Sequence, residues 1–344
     1  MNPYALSIII SSLALGTITT LSSYHWVLAW MGLEINTLAI IPMMTKNPHP
    51  RAIEAATKYF LMQAAASALI MFSCILNAWF QNEWTINNAL NPTSTILLSV
   101  ALLTKLGLAP FHFWMPDVLQ GLTLQTGWIL STWQKLAPMS LLLQLSQSLN
   151  LTLMMILGLL SMLVGGWGGV NQNQIRKILA FSSIAHFGWM VMILKISPQL
   201  SALNFILYII LTSTLFYVFI TVNSTNVSQL ATTWTKIPAL TALSLLSLLS
   251  LGGLPPLTGF APKWLIAQEM VKQDLILVTF IALMLTLLSL FFYLRLTYTI
   301  SLTMAPNSSL STSLWLMKKK NNLSFILLPT LCLLPILPSI LCLT

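Results

Sequence analysis

The sequence predicts an all-α polytopic membrane protein of about eleven transmembrane helices: two inverted five-helix repeats, each with a broken helix, followed by a C-terminal helix. Composition, length and a pair of matching helix-breaking motifs support this prediction. The 344 residues are 57% hydrophobic and 6% charged, with a mean hydropathy of +0.85. Soluble domains carry roughly 25% Asp, Glu, Lys and Arg, so this chain has too little charge to cover a soluble surface.

The length allows about eleven spans, because a membrane-spanning helix needs about 20 apolar residues and its connections add a few more. Apolar segments bounded by Pro, Asn, Gly or charge lie at 3–22, 25–44, 58–80, 93–120, 123–146, 149–170, 174–195, 200–222, 238–270, 275–302 and 323–342. We expect one integral membrane domain, 1–344. It comprises a first repeat at 1–147, a second at 148–302, and a basic loop with the C-terminal helix at 303–344.

Basic residues mark one face of the membrane. The connections that follow even-numbered spans contain Lys46, Arg51, Lys58, Arg176, Lys177, Lys236, Lys318, Lys319 and Lys320. The other connections contain only Lys195 and Lys272 among basic residues. The positive-inside rule then predicts the N-terminus and the basic loops on the inner side, with the C-terminus opposite. The net charge of +9 therefore reflects topology, and the scattered bases without interleaved aromatics argue against nucleic-acid binding.

Five ionisable residues lie well inside predicted spans: Glu34, Lys105, Lys135, His186 and Lys263. A charge at the centre of a spanning helix costs about 2.5–3.5 kcal/mol on insertion scales. One explanation is that such charges pair to fix helix packing. However, three lysines face one glutamate, so pairing cannot neutralise the set. Their similar depth indicates a row across the bilayer midplane that takes up and releases protons.

Two predicted spans contain the same helix-breaking pattern, Gly-Leu-x-Pro-x-x-x-aromatic-x-Pro, at 107–116 and at 253–262. Proline removes a backbone donor and frees the carbonyl one turn earlier. Such backbone is tolerated within a membrane only where it is buried in protein or lines a wet cavity. The residues expected to break the helices are Gly107, Pro110 and Pro116 in the first run, and Gly253, Pro255, Pro256 and Pro262 in the second.

The two breaks are five spans apart, and a shift of five spans reverses the direction of a helix. The halves are therefore expected to be inverted repeats, a common transporter architecture whose broken helices mark the site. Lys105 lies just before its break and Lys263 just after its own. Each lysine should therefore lie close to freed backbone groups.

Other chemistry receives less support from the sequence. His112 lies in the first break and Asp117 just beyond it, so each serves either a local hydrogen bond or a secondary proton path. Cys74, Cys332 and Cys342 are too few and too dispersed for an iron–sulfur cluster or a zinc site, and no metal site is expected. The Gly-Gly-Trp-Gly-Gly run at 165–169 follows no strand, which favours close helix packing over dinucleotide binding.

The run at 176–186 resembles the basic-x-x-Ala-aromatic-Ser-Ser-x-x-His signature of a known family. That family comprises the antiporter-like, proton-translocating membrane subunits of respiratory complex I, which are related to multisubunit cation/proton antiporters. The segments 30–38, 49–55 and 110–114 look like those of its mitochondrial members. The resemblance covers essentially the whole chain, although bacterial members have fourteen spans and this chain is about three shorter at its N-terminus.

The resemblance implies a proton-translocating membrane-arm subunit that couples NADH oxidation and ubiquinone reduction to proton pumping. It implies that Glu34, Lys105, Lys135, His186 and Lys263 form the proton relay. It also implies that this chain binds no cofactor, because NADH, FMN, iron–sulfur clusters and ubiquinone are used elsewhere in the complex. Partners are then other membrane-arm subunits, including adjacent antiporter-like subunits, and phospholipids such as cardiolipin. The location is the mitochondrial inner membrane, with the N-terminus and basic loops in the matrix and the C-terminus in the intermembrane space.

Two alternatives remain open. The chain could be a structural or strain-transmitting segment of the membrane arm, without its own proton channel. It could also be a stand-alone cation/proton antiporter, although a single buried carboxylate offers little to coordinate a metal cation. A quinone-binding role has no distinctive residues to support it.

Overall fold

The computed structural model describes residues 3–46, 48–86, 90–231, 233, 238–255 and 257–302. Within these ranges the chain is helical, and the regular elements are joined by short turns. Pro256 and the predicted basic loop and C-terminal helix at 303–344 lie outside the described residues. The chain divides into two compact units, Met1–Ser161 with Val191–Pro198, and Met162–Met190 with the residues from Gln199 onward. The sequence-based division places its boundary at 147/148.

The first unit contains three long helices, α1 (Pro3–Ser22), α2 (Trp26–Met44) and α3 (Pro50–Gln81). They are followed by the shorter α4 (Pro92–Leu106), α5 (Trp114–Gly121), α6 (Leu124–Ser131) and α7 (Leu136–Gln144), and by the start of α8 (Leu151–Val170). A 3₁₀ turn, Trp133–Lys135, joins α6 to α7. Helix α1 packs against α2 and α7, and α3 packs against α2, α4 and α5.

The second unit contains the end of α8 and most of α9 (Ile175–Ile193) and α10 (Pro198–Val222). It continues through α11 (Val227–Ala231), α12 (Pro238–Gly252), α13 (Phe260–Lys272) and α14 (Ile276–Ser301). Helix α14 packs against α11, α12 and α13. The glycine run at the end of α8 permits close packing in this unit, because a Cβ on Gly165 would lie only 2.7 Å from the amide nitrogen of Ala185.

Local sequence explains where the helices begin. The Nδ1 atoms of His25 and His49 accept hydrogen bonds from the amides of Val27 and Arg51, both at 3.2 Å. These histidines therefore satisfy donors that the first turns of α2 and α3 leave without an intrahelical acceptor. Pro50 opens α3, at a position where the missing N–H costs nothing.

Six of the described helices are long and apolar enough to cross a membrane. They are α1, α2, α3, α8, α10 and α14. The chain is therefore an all-helical, polytopic membrane protein. The two spans for which helix breaks are predicted are each divided in the structure: 93–120 into α4 and α5, and 238–270 into α12 and α13. The segment 123–146, predicted as one uninterrupted span, is divided by the 3₁₀ turn.

Candidate functional site

The first helix break lies between α4 and α5. Helix α4 ends at Leu106, and Gly107 adopts a left-handed conformation with φ of 79°, which glycine allows at little cost. The backbone then continues without helix to Trp114, whose indole Nε1 donates to the carbonyl oxygen of Thr104 at 3.2 Å. The Trp114 side chain therefore provides a hydrogen bond to one of the carbonyls in the last turn of α4.

Other residues of this break have local partners. The Ala109–Pro110 peptide bond is cis, and Nδ1 of His112 lies 3.2 Å from the carbonyl oxygen of Pro110. Pro116 lies in the first turn of α5, where its missing N–H leaves no intrahelical bond unmade. Asp117 accepts a hydrogen bond at 2.9 Å from the ammonium of Lys58, which also contacts Glu54 at 2.8 Å.

The second break lies between α12 and α13. Helix α12 ends at Gly252, and Gly253 adopts φ of 84°. Pro255 follows in the connection, and Pro262 lies in the first turn of α13. Lys263, also in that first turn, returns its Nζ to the carbonyl oxygens of Leu251 at 3.3 Å and Gly252 at 3.0 Å. A cation at the C-terminus of a helix is favourable because free carbonyls concentrate negative partial charge there.

Lys105 occupies the last turn of α4 and is only 5% exposed. Its Nζ has no hydrogen-bond partner among the described residues. Glu34 on α2 is half-buried and interacts electrostatically with Lys105, but the two form no ion pair within 4.0 Å. The Oε2 atom of Glu34 is likewise buried without a partner in the part of the chain that the structure describes.

Lys135 lies in the 3₁₀ turn between α6 and α7 and is 3% exposed. It lines a cavity of about 20 Å³ together with Lys105. A 3₁₀ segment inside a longer helix often marks a functional hinge. The sequence signal that could have revealed it is Pro138, which cannot donate to the carbonyl of Gln134 four residues earlier.

His186 on α9 and Lys263 on α13 line a second cavity, of about 10 Å³, within the second unit. Nε2 of His186 lies 3.3 Å from the hydroxyl oxygen of Tyr293 on α14. The ring centroid of Tyr208 on α10 lies 5.7 Å from the centroid of the His186 imidazole. Sequence reasoning did not identify Tyr293. It is 107 residues from His186 and carries no distinctive local pattern.

The five predicted ionisable residues fall into two groups in the structure. Because the sequence analysis predicts a proton relay for them, we call these five residues the relay residues. Glu34, Lys105 and Lys135 belong to the first unit, and His186 and Lys263 to the second. The cavity that Lys105 and Lys135 line also has three polar side chains that the sequence analysis did not single out. They are Asn36, Gln63 and Gln134. Among the described residues, no three His, Cys, Asp or Glu side chains cluster in a way that could hold a metal ion.

Known proteins are similar to this chain in sequence and in fold. The family model described as "NADH:quinone oxidoreductase/Mrp antiporter, TM" matches residues 23–289, and that of "NADH dehydrogenase subunit 2 C-terminus" matches 290–341. NADH-ubiquinone oxidoreductase chain 2 of Aquarana catesbeiana is 57% identical over 343 residues, which cover 99% of both chains. The corresponding chain of Xenopus laevis is 58% identical over 316 residues, covering 92% of this chain and 91% of its own.

A solved structure agrees with the sequence relatives. A chain of respiratory complex I from Thermus thermophilus, with bound aureothin, matches with a TM-score of 0.85 and 27% identity. The match covers 98% of this chain and 80% of the bacterial chain. The fold, the sequence relatives and the family models agree, and the chain belongs to the NADH-ubiquinone oxidoreductase chain 2 family of antiporter-like membrane subunits.

Proposed function

We propose that the chain is a proton-translocating subunit of the membrane arm of respiratory complex I, in the mitochondrial inner membrane. NADH oxidation and ubiquinone reduction occur in other subunits, and their free energy drives protons past the relay residues of this chain. The names of the relatives and the antiporter family model support this assignment. Other membrane-arm subunits, including adjacent antiporter-like subunits, and phospholipids such as cardiolipin are its partners, and the chain itself holds no cofactor.

The observation that carries the proposal is the environment of Lys105. Its ammonium is buried without a hydrogen-bond partner in the described structure, interacts electrostatically with Glu34, and shares a cavity with Lys135. A lysine placed only to stabilise packing is expected to have a close acceptor, because a buried charge without one is costly. This environment suits a group that gains and loses a proton.

The proposed cycle begins when a charge rearrangement reaches Glu34. While the carboxylate is close, it stabilises the protonated form of Lys105. At an effective dielectric of about 20, two charges about 4 Å apart interact by about 4 kcal/mol. When the carboxylate moves away, Lys105 releases its proton towards Lys135. Lys135 and His186 relay the proton, and Lys263 loads the exit or passes the perturbation on.

The same proposal includes the finer architecture. We place the eleven spans in two inverted five-helix repeats, 1–147 and 148–302, with the final helix in 303–344. The N-terminus and basic loops face the matrix, and the C-terminus faces the intermembrane space. The two described glycines with φ near 80°, Gly107 and Gly253, support equivalent breaks in the two repeats.

The test is Lys105→Ala in the assembled complex, with proton translocation and ubiquinone reduction measured on the same membranes. We expect proton transfer to slow by about 100-fold or more, the contribution of a well-placed proton-transfer group. Lys272→Ala is the control, because Lys272 is exposed and forms a surface ion pair with Glu269. An unchanged ratio of protons to electrons and an unchanged turnover in Lys105→Ala would contradict the proposal.

One observation favours a second candidate, a structural or strain-transmitting subunit. Lys263 joins α13 to the end of α12 through two hydrogen bonds, which a purely structural lysine would also make. In that case Lys263→Ala or Glu34→Ala prevents assembly, and whatever complex does assemble pumps normally. If the residues instead form a proton relay, each variant complex assembles and pumps poorly.

A further inference from the structure

The proposed relay does not use the two serines of the run at 176–186. Ser182 and Ser183 lie on α9, four and three residues before His186, and are 1% and 0% exposed. Residues three and four apart share one side of a helix, so both serines lie on the side of α9 that carries the imidazole. Adjacent helical positions diverge by about 100°, which lets the two serines meet different neighbouring helices.

Ser182 links His186 to α14 through Tyr293. The Ser182 hydroxyl donates to the carbonyl oxygen of Leu179 at 2.8 Å, and the side chain also hydrogen-bonds with the buried phenol of Tyr293. Because the serine proton is directed at the helix carbonyl, the phenol supplies the proton of the second bond. The Tyr293 oxygen lies 3.3 Å from Nε2 of His186 and keeps its lone pairs for a proton on that nitrogen.

Ser183 makes a corresponding contact with Tyr208 of α10. Its hydroxyl donates to the carbonyl oxygen of Ala180 at 2.7 Å, and its side chain hydrogen-bonds with the phenol of Tyr208, a residue that is 2% exposed. The Tyr208 ring is tilted by 45° against the His186 imidazole, and Phe187 packs edge-on against the same tyrosine at 5.2 Å. The imidazole therefore contacts the hydroxyl of one tyrosine and packs against the ring of the other.

Close helix packing is the simpler explanation for two buried serines, because serine is small and often bonds back to its own helix. However, α8 approaches α9 closely through Gly165, where an added Cβ would lie 2.9 Å from the carbonyl oxygen of Phe181. The glycine thus already provides room at that approach. Packing also does not explain why each serine bonds a tyrosine that in turn contacts His186.

We propose that Ser182 and Ser183 are positioning residues for His186, Ser182 through the hydroxyl of Tyr293 and Ser183 through the ring of Tyr208. The inference rests on the proposed function, because it concerns how the imidazole is oriented for its part in the relay. The two serines fix the two tyrosines, which hold the imidazole where it lines its cavity with Lys263. A group held in the reactive orientation transfers its proton faster than one that must first find it.

The test is a double-mutant cycle in the assembled complex, consisting of Ser182→Ala, Tyr293→Phe and the double variant. Alanine keeps the small size of serine and removes the hydroxyl. We expect Ser182→Ala to lower proton-coupled turnover about 2- to 10-fold, the factor that corresponds to one hydrogen bond, and to increase the solvent isotope effect on turnover. Because Ser182 acts through Tyr293, the double variant should be no slower than Tyr293→Phe alone.

Two further variants separate positioning from packing. Ser182→Thr restores the hydroxyl and should recover turnover, which a role that depends only on small size does not predict. Ser161→Ala is the matched control, because Ser161 is also 0% exposed and donates to a carbonyl of its own helix, that of Gly158, at 2.7 Å. Its turnover and isotope effect per assembled complex should equal those of the wild type.

A second cycle tests Ser183 with Tyr208. We expect Ser183→Ala to lower turnover less than Ser182→Ala does, because the Tyr208 ring can still pack against the imidazole. The double variant of Ser183→Ala with Tyr208→Phe should again be no slower than Tyr208→Phe alone. Additive losses in this cycle would overturn the inference for Ser183.

Wild-type turnover and isotope effect in Ser182→Ala overturn the inference, as do additive losses in its cycle with Tyr293→Phe. If Ser182→Ala does not assemble, a high-resolution map of the wild-type complex decides: a Tyr293 hydroxyl beyond hydrogen-bonding distance of Ser182 or of His186 overturns the inference. If Lys105→Ala pumps poorly while Ser182→Ala is normal, only the positioning role is wrong. If Lys105→Ala pumps normally, the proposed function itself fails.

Discussion

The ammonium of Lys263 lies 3.0 Å from the carbonyl oxygen of Gly252, across the break that separates α13 from α12. The cation of one helix segment therefore satisfies free carbonyls of the other. Both acceptor carbonyls, Leu251 and Gly252, belong to the last turn of α12, so the position of this lysine depends on the backbone of the break.

The first prediction concerns Gly253. Its φ of 84° costs an alanine about 1–2 kcal/mol, and an added Cβ would lie 2.8 Å from Lys263 Nζ. We expect Gly253→Ala to displace the lysine, lowering both the thermal inactivation temperature of the complex and its pumping rate. Gly252→Ala is the control, because its Cβ would meet only ordinary 3.8 Å contacts with Tyr293. Equal effects of the two variants would contradict this explanation.

The second prediction concerns Trp114, whose indole donates to the Thr104 carbonyl at the end of α4. Phenylalanine keeps most of the ring but removes this donor. Since Thr104 also accepts from the amide of Gly107, we expect Trp114→Phe to lower stability by only about 1 kcal/mol, measured by thermal unfolding of the complex. Trp79→Phe, at a residue that is 80% exposed, should show no loss. If Trp114→Phe left the thermal stability of the complex unchanged, the indole hydrogen bond would not stabilise the break.

The third prediction concerns Asp117 and the secondary proton path. The Lys58 and Asp117 side chains are 43% and 47% exposed, and surface ion pairs contribute about 0–1 kcal/mol. We therefore expect Asp117→Asn to change thermal stability by less than about 1 kcal/mol and to leave the ratio of protons to electrons unchanged. A reduced ratio in this variant, with assembly intact, would instead assign Asp117 to a proton path.

The fourth prediction concerns the contact between Tyr293 and His186. Tyr293→Phe removes a hydroxyl 3.3 Å from Nε2 while keeping the buried ring. A hydrogen bond worth about 0.5–1.5 kcal/mol corresponds to roughly a 2- to 10-fold change in rate, so turnover coupled to pumping should fall within that range. Tyr298→Phe, at a residue that is 55% exposed, is the control. If Tyr293→Phe and Tyr298→Phe had identical turnover, the Tyr293 hydroxyl would have no part in the mechanism.

The fifth prediction separates the relay from a stand-alone antiporter. The chain purified alone and placed in liposomes should not exchange Na⁺ or K⁺ for protons, measured with a pH-sensitive dye inside the vesicles. The physical reason is that Glu34 is the one carboxylate among the five relay residues, and a metal cation needs several oxygen ligands. Exchange abolished by Glu34→Gln would support the antiporter instead.

Much of the fold follows from local sequence. Apolar runs long enough to cross the bilayer indicate the long helices, and Gly and Pro mark the two breaks because their backbone limits are intrinsic to each residue. The relay residues stand out for a similar reason, since an ionisable side chain in an apolar segment is costly wherever the chain folds.

The tertiary structure decided what those residues contact. Sequence alone could not place Asn36 and Lys105 in the lining of one cavity, or Tyr293 against His186, because each pair joins helices distant in the chain. It also missed the interruption at Lys135, where Pro138 withholds a donor and a 3₁₀ turn replaces part of a helix. Composition and periodicity determine that a residue is buried in the membrane, whereas helix packing determines which groups satisfy it.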